Sequence, residues 1–209
     1  MLQTLKWYTK KRGKQWQCEK MKERYSLFQN FSSKYKRIRK ESWRTVNSFA
    51  SRLPSIMCLT EHHLKYLQPK KFHIENYNSG AHCCRHLCEK GGVANFVHNS
   101  LCFTNTDIAH HSKDRDIEIC ALKLSFGTQT ICILIFYRAP SGKFSIFLLQ
   151  LHTIIQSLYT PRLHFIICGD ININYLNESG NKSQLDNSLL SYNLTSMLWI
   201  MGLSLTVKM

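Results

Sequence analysis

The sequence lacks the features that would mark a membrane or secreted protein. No apolar run is long enough to cross a bilayer. The first residues, "MLQTLKWYTKKRGK", lack the apolar segment of a secretory signal. The nine cysteines are an odd number, which argues against a disulfide framework, and Cys58, Cys120, Cys132 and Cys168 stand in apolar runs as small core residues would. We therefore expect an intracellular protein.

Acidic residues are scarce relative to basic ones, and the basic excess is concentrated at the start of the chain. The 209 residues carry 28 Lys and Arg against 13 Asp and Glu, a net charge of +15. Residues 1–50 alone hold 14 basic against three acidic side chains. Aromatics interleave with these cations, as stacking on bases with phosphate contact requires. Non-catalytic nucleic-acid binding and a solvated basic leader are both left open by the charge.

Buried strands alternate with helices in the rest of the chain. Apolar runs predict strands at 55–61, 91–101, 116–126, 130–137 and 163–170, and helical spacing predicts helices at 42–53, 143–158 and 184–194. Internal repeats and low-complexity tracts are missing. This alternation is typical of an α/β or layered α+β domain.

Three of the apolar runs stop at polar side chains. The first ends at Glu61, the second at Tyr137 and Arg138, and the third at Asp170 and Asn172. Strand ends that neighbour one another in an open α/β sheet form a cleft. Asp170 and Asn172 are two apart, so in extended backbone their side chains point to the same side.

These residue types suit the hydrolysis of a phosphate ester. Asp170 can deprotonate a water, and the Asn172 amide can bind a developing oxyanion. Glu61 can hold a hard divalent cation, which polarises a phosphoryl group. Tyr137 can donate to a phosphate oxygen, and Arg138 can add charge. Carboxylates after strands also cap helices or occupy turns, and a tyrosine is often a core aromatic, so spacing alone leaves both interpretations open.

Five segments carry a family resemblance. In order along the chain they are "LTEHHL", "GGVANFV", "ICILIFYRAPSG", "HFIICGDININYL" and "QLDNSLLSYNLTS". Together they resemble the endonuclease domain of insect non-LTR (LINE-like) retrotransposons, over roughly residues 42–196. Such domains belong to the endonuclease/exonuclease/phosphatase family, whose fold is similar to that of DNase I and apurinic endonucleases.

The resemblance implies a fold, a reaction and a site. The implied class is α/β, an incomplete four-layer sandwich of the DNase I-like type with two mixed sheets flanked by helices. The implied reaction is Mg²⁺-dependent (or Mn²⁺-dependent) phosphodiester hydrolysis in DNA, in the nucleus, with no membrane and no obligate protein partner. By motif, Glu61 of "TEHH" resembles the metal-binding residue, and Tyr137 of "FYRAP" the active-site tyrosine. Asp170 and Asn172 of "GDIN" resemble the water-activating aspartate and its amide partner.

Both flanks depart from that family. Its first strand carries an "N-[IV]-[RN]-[GS]" motif, which "SSKYKRIRKESW" does not contain, and we assign no role to the nearby Asn30. Its last elements carry an Asp-His pair, whereas no Asp or His follows Asp186. We therefore expect a basic, poorly structured leader at 1–41, a partial domain at 42–196 and a divergent tail at 197–209. Losing members of a cooperative catalytic set costs orders of magnitude in rate, so the expected protein is a remnant with little or no activity.

Two further hypotheses are less favoured. Residues 82–88, "HCCRHLC", offer the zinc ligands His82, Cys83, Cys84, His86 and Cys88, but the spacing lacks two separated ligand pairs. A loop enriched in Cys and His explains the segment more simply. A phosphatase of the same superfamily is the nearest enzymatic alternative, because fold alone does not decide between activities.

Overall fold

The computed structural model describes residues 5–10, 28–32, 55–62, 74–85, 91–127, 129–160, 163–174, 178–200 and 203–204. Its strands are β1 (Leu5–Lys10), β2 (Phe28–Ser32), β3 (Ile56–Thr60), β4 (Tyr77–Cys83), β5 (Val93–His98), β6 (Phe103–Thr106), β7 (Glu118–Phe126), β8 (Gln129–Tyr137), β9 (Leu163–Asp170), β10 (Leu194–Ile200) and β11 (Leu203–Ser204). Its helices are α1 (Phe144–Leu158) and α2 (Gly180–Leu190), with a short 3-10 helix at Ala109–His111.

The strands form two mixed sheets. The larger has the order β11-β10-β1-β9-β8-β7-β6, and the smaller has the order β2-β3-β5-β4. Each contains one parallel pair, β8 with β9 and β2 with β3, while the other pairs are antiparallel. The sheets therefore match the mixed sheets expected from the sequence.

The larger sheet is packed on both faces, against the smaller sheet on one side and against the two helices on the other. One layer joins the two sheets, with Ile56 and Val93 from the smaller sheet packed against Ile133 and Ile135 from the larger. The other face of the larger sheet is covered by α1 and α2, whose buried residues include Phe147, Leu151, Ile154, Leu185 and Leu189. The structure is thus a layered α/β sandwich.

The long apolar runs become the inner strands, as predicted. The predicted strands at 55–61, 91–101, 116–126, 130–137 and 163–170 are observed as β3, β5, β7, β8 and β9, and the helix predicted at 143–158 is α1. The helix predicted at 184–194 begins earlier, at Gly180, and ends at Leu190. Its start is set by Ser179, whose hydroxyl accepts a hydrogen bond from the Lys182 N–H at 3.2 Å.

The flanks contain strands that the sequence did not predict. β1 and β2 lie within residues 1–41, which we expected to be a poorly structured leader, and β10 crosses the boundary expected between 196 and 197. β1 pairs with β10 along its length and with β9 at two positions, so its partners are distant in sequence. The domain boundaries stay predictions. The helix expected at 42–53 lies outside the described residues, and none of the described helices is long and apolar enough to cross a membrane.

Candidate active site

Three strand ends bring the candidate catalytic residues together. β8 and β9 are parallel, and their pairing places Tyr137 directly beside Asp170. Glu61 follows β3, which belongs to the facing sheet. The Tyr137 hydroxyl donates a hydrogen bond to Glu61 Oε1 at 2.5 Å, and this bond joins the ends of the two sheets. The sequence prediction that these strand ends converge agrees with this geometry.

The Tyr137 hydroxyl lies among several carboxylates. Burial raises its pKa above the ordinary value, and the hydrogen bond to Glu61 raises it further. The charges of Glu61, Asp170 and Glu118 act in the same direction. Tyr137 is 3% exposed, so water screens these charges poorly. Its hydroxyl therefore stays protonated and acts as a hydrogen-bond donor.

The segment "GDIN" forms a tight turn at the end of β9. Asp170 is buried, and its Oδ1 accepts a hydrogen bond from the Asn172 backbone N–H at 2.9 Å. Asn172 has a φ of 51°, in the left-handed region that asparagine tolerates better than most residues. Gly169 has a φ of 150°, and a Cβ there would collide with the carbonyl oxygen of Phe136. Glycine at 169 and asparagine at 172 therefore allow the tight turn that places the Asp170 carboxylate at the end of β9.

The amide of Asn172 is partly occupied by the protein itself. Its Nδ2 donates to the backbone carbonyl of Arg138 at 2.6 Å. An amide nitrogen carries two hydrogens, so a second N–H is left for another acceptor. Asn172 thus ties the end of β8 to the turn after β9 while keeping a donor.

Arg138 is placed differently from the sequence hypothesis, which gave it the role of adding charge to a phosphate. Its Nε donates to the carbonyl of Ile171 at 2.8 Å, Nη1 to Gly142 at 2.6 Å and Nη2 to Asn172 at 3.1 Å. The residue is 5% exposed. Arg138 therefore holds the backbone of the turn, and its role in adding charge to a phosphate stays a prediction.

Sequence reasoning missed a buried ion pair next to the site. Arg85 Nε donates to Glu118 Oε1 at 2.5 Å, and the Gly92 N–H donates to Glu118 Oε2. The Arg85 guanidinium carbon lies 5.8 Å from the centre of the Tyr137 ring. Burial raises the pKa of the Glu118 carboxyl, and the Gly92 N–H and Arg85 oppose that rise. The sequence signal that could have indicated a buried Glu118 is the alternation of side chains along the strand, because Glu118 shares one strand face with Cys120, which is buried.

The donors at the strand ends fit a hard divalent cation. Glu61 bonds the Tyr137 hydroxyl and the charge of Asp170 also acts on that hydroxyl, and Mg²⁺ is commonly held by one or two protein carboxylates with waters and substrate phosphates. Glu61 has a φ of 54°, a backbone conformation that nonglycine residues adopt mainly at turns and functional sites. Within the described ranges there is no group of three or more His, Cys, Asp or Glu side chains placed to hold a metal.

The zinc hypothesis is only partly covered by the described residues. His86 and Cys88 lie outside them. Cys83 Sγ donates to the Ser112 hydroxyl at 3.3 Å, and Cys84 Sγ lies 3.8 Å from His62 Nε2. The described thiols of this segment thus have partners within the protein.

Asn30 lies in a strand that the sequence did not predict. β2 runs parallel to β3, and its register places Asn30 beside Cys58. Cys58 precedes Glu61 by three residues in the neighbouring strand. The backbone therefore brings Asn30 to the strand beside the one that leads to Glu61.

Comparisons with known proteins agree on the fold. No protein-family model matches the sequence, and no curated protein is significantly similar to it. The structure resembles the endonuclease domain of TRAS1, a telomere-specific non-LTR retrotransposon, with 14% identity and a TM-score of 0.56 over 78% of this chain and 68% of that chain. It also resembles D. rerio TDP2 complexed with a single-strand DNA product, with 14% identity and a TM-score of 0.53 over 75% and 62% of the two chains.

A bacterial structure has the same architecture. An endonuclease/exonuclease/phosphatase family protein from Bacteroides thetaiotaomicron matches with 12% identity and a TM-score of 0.50, over 71% of this chain and 59% of that chain. Identities this low establish the fold alone. The described part of this chain therefore has the DNase I-like α/β fold of endonuclease/exonuclease/phosphatase proteins, which confirms the fold predicted from the sequence.

Proposed function

We propose that this chain is a retrotransposon-type endonuclease that hydrolyses phosphodiester bonds in DNA with Mg²⁺ or Mn²⁺. The observation that carries this function is the hydrogen bond from Tyr137 to Glu61 across the two sheets, with Asp170 in register beside Tyr137. Two proteins of similar fold support the choice of substrate, since one is a retrotransposon endonuclease domain and the other was solved with a DNA product.

Glu61 is the proposed metal ligand. Its Oε1 is held by the Tyr137 hydroxyl, which leaves Oε2 for a cation. When bound, the ion would polarise the scissile phosphoryl group and stabilise the leaving oxygen. Tyr137 keeps its proton because its pKa is raised, so it orients the Glu61 carboxylate instead of competing as a charged ligand.

Asp170 is the proposed general base. Its Oδ1 is oriented by the Asn172 N–H, and the carboxylate takes the proton from a water as the water oxygen bonds to phosphorus. The bond between phosphorus and the leaving sugar oxygen breaks in the same step. The free N–H of the Asn172 amide donates to a nonbridging phosphate oxygen, where negative charge accumulates.

We propose that this reaction is slow in this protein. Residues 187–209 contain neither Asp nor His, so the Asp-His pair implied by the family resemblance is not found there. A cooperative catalytic set that lacks one member typically loses orders of magnitude in rate. A remnant activity, low but dependent on Asp170, is the expected behaviour.

The test is a plasmid-nicking assay on purified protein with Mg²⁺, repeated with a chelator. Asp170→Asn removes the base while keeping the side-chain shape, and we expect nicking to fall by about 100-fold or more. Asp114→Asn, the same change at an exposed position, is the matched control and should nick like the wild type. Nicking that survives in the Asp170 variant would refute the assignment.

Non-catalytic DNA binding remains the alternative, because residues 1–50 carry 14 basic against three acidic side chains. Deleting residues 1–40 would remove β1 and β2 from the sheets, so neutralisation is the cleaner test. Changing Lys11, Arg12 and Lys14 to Gln should weaken binding and flatten its salt dependence if the leader holds DNA. Binding lost in this variant, together with no nicking by the wild type, would favour the alternative.

A further inference from the structure

The proposed chemistry leaves one buried charged pair unused. Arg85 and Glu118 are 8% and 1% exposed, and they form an ion pair directly behind the candidate site. Glu118 opens β7 and is paired in register with Tyr137 in β8. The pair therefore touches the same strand end that carries the active-site tyrosine.

Stability alone is a poor explanation for this pair. Taking two charges out of water costs several kcal/mol, and apolar replacements of buried ion pairs are often neutral or stabilising (by about 1–4 kcal/mol). Both carboxylate oxygens of Glu118 are nevertheless satisfied, one by Arg85 and one by the Gly92 N–H. A carboxylate that is bonded on both oxygens has a fixed position, and it fixes the position of the Arg85 guanidinium paired with it.

The guanidinium lies over the ring of Tyr137. Its central carbon is 5.8 Å from the ring centre, within the range of a cation–π interaction. Glu118 holds that guanidinium in place through Nε and a second nitrogen. The hydroxyl of the same ring donates to Glu61. Movement of Arg85 would therefore move the ring that orients the proposed metal ligand.

A glycine pair connects Arg85 to the Glu61 segment. Gly91 and Gly92 have φ values of 100° and 89°. A Cβ on Gly91 would lie 2.7 Å from the Arg85 guanidinium carbon, and a Cβ on Gly92 would collide with the ring of His62. His62 directly follows Glu61 in the chain. The absence of side chains in this turn lets the ion pair and the Glu61 segment pack as one unit.

We propose that Arg85 is a positioning residue of the active site, which together with Glu118 holds the Tyr137 ring so that its hydroxyl stays on Glu61. This role rests on the proposed function for its effect on catalysis, but not for its effect on geometry. Lysine cannot substitute, because a point charge on a flexible stem lacks the planar group that contacts Glu118 through two nitrogens beside the Tyr137 ring.

The geometric test needs no catalysis. Fluorotyrosine placed at position 137 reports its surroundings by fluorine NMR in the full chain. Arg85→Lys should shift or broaden this resonance, and Glu118→Gln, which keeps the side-chain shape, should do the same. Arg115→Lys makes the same change at an exposed position and should leave the resonance in place. An unchanged resonance in both the Arg85 and Glu118 variants, with folding verified by circular dichroism, overturns the positioning role.

A double-mutant cycle tests the effect on catalysis. Arg85→Lys should lower kcat for nicking about tenfold with little change in KM, because the loss lies in orientation and not in DNA binding. In a Tyr137→Phe background the same change should have little further effect, since the hydroxyl it positions is gone. Equal losses in both backgrounds would show a general structural role and overturn the inference. Wild-type protein that does not nick would refute the proposed function, while the fluorine spectra would still decide the role of Arg85.

Discussion

Replacing Arg138 by lysine tests whether the turn after β9 is held by the guanidinium. The three nitrogens of Arg138 donate to the carbonyls of Ile171, Gly142 and Asn172 at 2.6–3.1 Å. Lysine keeps the charge but has a single nitrogen, so it cannot reach carbonyls that lie on different sides of the planar guanidinium group. We expect Arg138→Lys to lose two of the three hydrogen bonds.

The loss of unfolding free energy in Arg138→Lys depends on which backbone carbonyls lose their hydrogen-bond donor. Ile171 is buried, whereas Gly142 and Asn172 are half-buried, so water can replace part of what those two lose. An unsatisfied buried polar group costs about 1–3 kcal/mol, so the variant should lose about 2–4 kcal/mol of unfolding free energy. For a chain of this size that corresponds to a Tm lower by about 4–16 °C.

Urea unfolding followed by circular dichroism measures this loss. Arg115→Lys is the matched control, because Arg115 is exposed, and its unfolding free energy should change by no more than about 0.5 kcal/mol. If Arg138→Lys unfolds like the control, the guanidinium does not hold the turn. The earlier hypothesis, in which Arg138 adds charge to a bound phosphate, would then be preferred.

Three further measurements test other parts of the structure. Gly169→Ala should lower the Tm more than Gly180→Ala, because a Cβ at Gly169 would collide with a backbone carbonyl whereas Gly180 has open space around it and no positive φ, and equal shifts would contradict the packing of this strand end. The pKa of Tyr137 is raised above its usual value, so its hydroxyl keeps its proton as the pH passes about 10. If the nicking rate instead fell with a pKa near 10 in the wild type, and this fall were lost in Tyr137→Phe, the buried environment of the hydroxyl would be contradicted. Burial raises the pKa of the Cys84 thiol to about 12, so at pH about 8 iodoacetamide should label the exposed Cys102 before Cys84, which peptide mass spectrometry can check.

The inner strands could be predicted because their sequence signal is local. Residues 131–136 are apolar without interruption, and the strand they form is covered on both faces. The helix α1 has its own periodicity, with Phe147, Leu151 and Ile154 on the face that meets the sheet. Neither element needs information from a distant part of the chain.

The flanking strands could not be predicted because their signal is not local. β1 reads "LKWYTK", and nothing in these six residues indicates that β10 lies almost 190 residues away as its partner. The same limit applies to Arg138 and Arg85. The sequence gives a cation at each position, but the carbonyls and the carboxylate that bind it come from other segments.

The candidate site was predicted at the level of residue type and strand end. Glu61, Tyr137 and Asp170 each follow or close an apolar run, and the rule that neighbouring strand ends form a cleft led to the expectation that these ends meet. What the sequence could not supply is the contact that joins the sheets, the bond from Tyr137 to Glu61. That contact depends on how two sheets pack, which is a property of the whole domain.

The role of Asn30 can be tested, because the expectation of a remnant relied partly on the missing asparagine motif of the first strand. β2 supplies a strand there, parallel to β3, with Asn30 in register with Cys58. Amide oxygens are good ligands for hard divalent cations. If Asn30 supports the metal held by Glu61, Asn30→Ala should raise the Mg²⁺ concentration that gives half-maximal nicking by about tenfold.

Gln29→Ala is the matched control for that test. Gln29 precedes Asn30 in the same strand β2, so its replacement changes that strand while leaving the asparagine in place. The Gln29 variant should keep the wild-type Mg²⁺ dependence. Equal Mg²⁺ dependence in the wild type and both variants would remove Asn30 from the site, and the first element of the catalytic set would then be missing, as the sequence alone suggested.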